Sequence, residues 1–63
     1  MNTLDLTGKI ILIAEDEHIN YLFLEETLNQ TKATIIWAKN GEEAVQIAKT
    51  QHIDLILMDI KCL

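Results

Sequence analysis

The chemistry open to this 63-residue chain rests on a few carboxylates: Glu15, Asp16 and Glu17 in one run, and Asp59 far downstream. A carboxylate can be a nucleophile or a hard-oxygen metal ligand. Several brought within a few ångströms of one another raise their own pKa values unless a cation joins them. With no Cys or suitably placed His nearby, an oxygen-only set favours magnesium over zinc or copper. A plainer reading stands beside this one: acids between a strand and a helix often serve only as caps and dipole partners, and Asp16 or Glu17 suits that role. Position alone does not choose between the two.

Whether these carboxylates meet depends on the elements that carry them. Lys9-Ile10-Ile11-Leu12-Ile13-Ala14 is a continuous apolar run of the kind buried on both faces of a parallel sheet, predicting a first strand over about 9–14. Apolar residues at Ile19, Leu22, Phe23 and Leu28 predict a helix over about 18–30, with Glu25, Glu26 and Asn29 facing water. The β-rich Thr34-Ile35-Ile36-Trp37-Ala38 predicts a second strand over 34–38. A second helix over about 41–50 follows, with Ala44, Val45 and Ala48 on one face, Asn40 or Gly41 as its cap, and Glu42 and Glu43 at its positive end. A third strand over about 53–58 leads directly to Asp59.

The order βαβαβ with short connections implies an α/β fold with a parallel sheet and right-handed crossovers. Strand order 1-2-3 would put both helices on one face, whereas 2-1-3 puts one on each. The doubly apolar first and third strands favour 2-1-3. That order sets the carboxyl ends of strands one and three side by side, at the switch point where open α/β sheets bind ligands.

Composition narrows the function. Five Lys against ten Asp and Glu give a net charge of -5, the wrong sign for direct nucleic-acid binding over a broad surface. The apolar run at 10–14 is far short of a membrane span, and no basic segment precedes it as in a signal peptide. A single cysteine, Cys62, fits a reducing cytoplasm. A nucleotide-binding half-domain is disfavoured because Glu15-Asp16-Glu17 stands where a glycine-rich phosphate loop would be.

At this point the chain resembles the receiver domain of two-component response regulators over essentially its whole length. The stretch from Lys9 to Glu17 resembles that family's first strand and acidic pair, Asn40-Gly41-Glu42-Glu43-Ala44 its second-helix start, and Asp54-Leu55-Ile56-Leu57-Met58-Asp59-Ile60-Lys61 its phosphoacceptor strand. Leu6-Thr7-Gly8-Lys9 and Asn20 look most like receivers of hybrid sensor histidine kinases. The resemblance implies the βαβαβ half of a flavodoxin-like doubly wound fold, with residues 1–8 as a leader. It implies that Asp59 is the phosphoacceptor, serving a histidine kinase or phosphotransfer domain as an acceptor and not as a turnover enzyme. It also implies that Glu15, Asp16, Asp59 and the Lys61 backbone carbonyl hold Mg²⁺. Glu15 stands where Asp is commoner, which lengthens one metal contact.

The family usually continues past this Lys with a Met-Pro turn and further strands bearing a Ser or Thr and a Lys that contact the phosphoryl group. Here Cys62 and Leu63 follow. The expectation is therefore a truncated receiver with impaired switching, whose third strand is an exposed apolar edge open to homodimer formation. Other candidates read more simply: His18 as an exposed helix-opening residue, His52 as a loop residue, Trp37 as packed or partly exposed on an edge strand, and Cys62 as a bystander thiol.

Overall fold

The computed structural model describes residues 4–59, with side chains through Met58. Five elements follow in order: β1 Ile10–Glu15, α1 His18–Asn29, β2 Thr34–Ala38, α2 Gly41–Thr50 and β3 Leu55–Asp59. The sheet is parallel with strand order β2-β1-β3, as the doubly apolar β1 requires. Ile10 to Ala14 pair with Thr34 to Ala38, and Ile11 to Glu15 pair with Leu55 to Asp59.

Alternation along the central strand splits the core in two. Ile11 and Ile13 join Tyr21 and Ala33 on the α1 face, flanked by Leu6, Leu24, Leu28, Ile35, Trp37 and Leu57. Leu12 and Ala14 join Ala38 and Ala44 on the α2 face, flanked by Ile36, Ile47 and Ile53. One helix therefore covers each face. Among the described residues, no helix is long and apolar enough to cross a membrane.

Both helices bury a different stripe from the one expected. On α1, Tyr21, Leu24 and Leu28 face the sheet, while Ile19 and Phe23 are 79% and 71% exposed. The cause is the phenol of Tyr21, which enters the core because its hydroxyl donates to Glu25 Oε2 at 2.8 Å, so Glu25 is half-buried and not left to water. On α2, Ala44 and Ile47 pack inward, and Val45 and Ala48 are exposed.

Local signals set the element ends. Asn40 caps α2 by accepting from the Glu43 N–H at 2.8 Å, and the Glu43 carboxylate accepts from the Lys39 N–H at 3.0 Å. Lys32 closes the turn after α1 at φ 68°. Before β1, Leu6 to Lys9 form a turn in which Gly8 takes φ 85° and the Lys9 N–H donates to the Leu6 carbonyl at 2.9 Å. That positive φ is the type II requirement, met without cost only by glycine. Ahead of β3, Ile53 and Asp54 lie outside the strand. Asp54 nevertheless extends the β1–β3 ladder, giving its N–H to the Ile10 carbonyl at 2.9 Å and taking the Ile10 N–H on Oδ2 at 2.8 Å.

Candidate functional site

The carboxyl ends of β1 and β3 meet where Glu15 and Asp59 are register partners, each the last residue of its strand. Neighbouring strands lie about 4.8 Å apart, so the two backbones bring these residues together across a single strand spacing. Both residues belong to their strands and do not follow them. The Asp59 side chain, the Lys61 carbonyl and Cys62 lie outside what is described.

Glu15 is 1% exposed, an unusual burial for a carboxylate. Its Oε1 accepts the Glu17 N–H at 3.2 Å, and its Oε2 is buried without a hydrogen-bond partner among the described residues. An orphaned carboxylate oxygen is costly, and a hard cation or a further donor at that atom would offset the cost. The donor chemistry of Glu15 therefore fits Mg²⁺. Asp16 and Glu17 follow as exposed residues. Among the described residues, no three His, Cys, Asp or Glu form a group able to hold a metal.

The capping alternative is not realised through side chains. Glu17 occupies the position before α1, but its carbonyl, at 3.0 Å from the Tyr21 N–H, opens the helix, and no side-chain cap bond forms. The first turn of α1 itself holds no acid, so a dipole partner would have to come from Asp16 or Glu17 just ahead of it.

An aromatic cluster flanks this end of the sheet. The Trp37 indole stacks with Tyr21 at 4.5 Å and His18 at 5.1 Å between ring centroids, with interplanar angles of 11° and 12°. Lys39 Nζ sits 5.8 Å from the Trp37 ring centroid. The indole Nε1–H donates to the Glu15 backbone carbonyl at 2.8 Å. Trp37 thus packs, as expected, but it also reaches the acidic turn, a link that no local sequence pattern could disclose. His18 is exposed and His52 lies in the loop before β3, 2.7 Å from Asp54 Oδ1.

Burial and the hydroxyl bond to Glu25 push the Tyr21 phenol up to about 12. Asp54 is held below the ordinary carboxylate value, first by the Ile10 N–H and then by His52. A concavity lined by Leu6, Lys9, Ile11, Asp54 and Leu55 lies at the amino end of the sheet, away from Glu15 and Asp16. The chemistry of Glu15 marks the candidate site.

Comparison with known proteins places this geometry. No solved structure matches the chain. It is 39% identical over 51 residues to the autoinducer 1 sensor kinase/phosphatase LuxN of Vibrio campbellii, covering 81% of this chain and 6% of that protein. It is 41% identical over 49 residues to the autoinducer 2 sensor kinase/phosphatase LuxQ of Vibrio parahaemolyticus, covering 78% and 6%. Against the polar-differentiation response regulator DivK of Brucella ovis, it is 34% identical over 53 residues, covering 84% and 43%. The chain therefore spans less than half the length of each of these relatives. The response regulator receiver domain profile matches residues 11–62, which include the register partners Glu15 and Asp59, and the chain belongs to that family, whose domains serve two-component signalling.

Proposed function

We propose that the chain is a phosphoacceptor module of a phosphorelay, in which Asp59 takes a phosphoryl group from a histidine kinase or phosphotransfer domain. The observation that carries this reading is the register pairing of Glu15 with Asp59 at the carboxyl edge of the sheet. Family membership and the orphaned Glu15 Oε2 support it. In the reaction a carboxylate oxygen of Asp59 forms a bond to phosphorus as the phosphohistidine N–P bond breaks. The imidazole leaves with that electron pair and takes up a proton from solvent.

Glu15, Asp16, Asp59 and the Lys61 carbonyl are the groups that would hold Mg²⁺. When bound, the ion offsets charge on the phosphoryl oxygens and the acceptor carboxylate. Glu15 orients one ligand oxygen from within the core, and exposed Asp16 offers a second carboxylate from the turn. The single cysteine and the net charge of -5 fit work in the cytoplasm beside a kinase.

The test is intact-mass measurement after incubation with phosphoramidate and Mg²⁺. The expected result is a gain of one phosphoryl group in the natural chain and none in Asp59→Asn. Equal labelling of both would refute the assignment.

A second reading is favoured by β3, where Leu55, Ile56 and Met58 are 47%, 44% and 61% exposed. Among the described residues β3 pairs only with β1, so its outer edge can pair with another strand, including that of a second copy.

A further inference from the structure

We propose that Trp37 is a positioning residue for the acidic turn, acting through its indole N–H and not through its ring. The inference rests on the Mg²⁺ reading of Glu15 and Asp16 given above.

The ladder between β1 and β2 ends at the pair Ala14 and Ala38, one residue short of Glu15. On its other side Glu15 is still paired, with Asp59. The Glu15 carbonyl would therefore lack a partner from β2, and Trp37, one residue before the end of that strand, supplies one by side chain at 2.8 Å. The peptide unit that this carbonyl belongs to is planar and contains the Cα atoms of both Glu15 and Asp16. Fixing the direction of the carbonyl fixes that plane, and with it the spacing and orientation of the two carboxylate-bearing carbons.

The indole is itself held. Tyr21 and His18, one turn apart on α1, stack nearly parallel to it. Tyr21 is buried and bonded to Glu25, so the platform is anchored in the α1-face core. Packing alone would be served by any large aromatic ring at position 37. The N–H is what an indole adds over a phenyl ring.

The experiment uses the full 63-residue chain, labelled with ¹⁵N, and Mg²⁺ as the probe. Trp37 is the single tryptophan, so one indole N–H resonance reports the bond. That resonance is expected to exchange slowly with water and to shift on saturation with Mg²⁺. By calorimetry, Trp37→Phe is expected to bind Mg²⁺ about threefold to tenfold more weakly, the range to which loss of one neutral hydrogen bond converts. His18→Ala, which trims the stack but leaves the N–H, is expected to bind within about twofold of the natural chain, as for a surface change.

Unchanged affinity in Trp37→Phe, or equal weakening in both variants, overturns the proposal while leaving the Mg²⁺ reading intact. If Trp37→Phe does not fold, the natural chain decides: a fast-exchanging indole N–H, or one unmoved by Mg²⁺, overturns it. If the natural chain binds no Mg²⁺, the metal reading falls and this inference falls with it.

Discussion

Glu15 and Asp59 face each other across the β1–β3 ladder, and the Glu15 carboxylate is sealed in the core with one oxygen unpartnered among the described residues. A buried acid in this position opposes folding unless something joins it. Saturation with Mg²⁺ should therefore raise the melting temperature. At tenfold excess over its dissociation constant, the linkage gain is about 1.4 kcal/mol, or roughly 6–11 °C for a domain this small. Glu15→Gln should melt higher than the natural chain without metal, and should lose most of the Mg²⁺ increment. Thermal circular dichroism of both proteins with and without Mg²⁺ checks this.

The two faces of β1 should be unequally tolerant compared with the outer face of α1. Leu12 is fully buried between sheet and α2, so Leu12→Ala is expected to cost about 2–5 kcal/mol, enough to unfold a marginal domain. Phe23→Ser, on the exposed side of α1, should change stability by no more than about 0.5 kcal/mol. Urea titration separates the two outcomes.

Asn40→Ala should cost about 1 kcal/mol by removing the acceptor for the Glu43 N–H, and Asn40→Gly only a few tenths. A larger loss for glycine than for alanine in the urea midpoint would contradict the cap.

Acid and alkali should act at opposite ends of the molecule. Asp54 has its folded pKa depressed, so its contribution is present above the ordinary value of 3.8 and is lost as pH falls through the lower folded value. Tyr21 has its folded pKa raised to about 12, so its contribution is full below 10.0 and is lost as pH rises from there through about 12. Urea midpoints across pH should show Asp54→Asn flattening the acid limb and Tyr21→Phe flattening the alkaline one.

If β3 pairs between copies, Ile56→Lys on that edge strand should shift the chain toward monomer. Sedimentation velocity over a concentration series would show it, and an unchanged distribution would place any association elsewhere.

The sheet was legible because β1 carries no polar residue from Ile10 to Ala14, which only a central, doubly covered strand explains. The place of the carboxylates followed from strand order. The face of α1 was not legible, because Ile19, Tyr21, Leu22, Phe23, Leu24 and Leu28 surround the helix with apolar groups and offer several stripes of similar weight. Choosing among them needed the Tyr21–Glu25 bond, which lets a polar ring go inside. The same limit hid the role of Trp37, whose partner lies 22 residues away and is a backbone carbonyl, an atom every residue has. Asp54 looked like part of a strand because its neighbours are apolar, yet it stands just before β3 and imitates a rung with its side chain.

The turn at Gly8 bears on how the molecule can be handled. The Leu6 N–H is tied to the Thr31 carbonyl at 2.6 Å, which fastens the segment ahead of β1 to the loop between α1 and β2. With β1 six residues long, that fastening lies roughly 17 Å from the pole where Glu15 sits. A dye, affinity handle or surface linker attached ahead of Leu6 therefore leaves from the far pole, and the chain can be immobilised with its acidic end facing the solution.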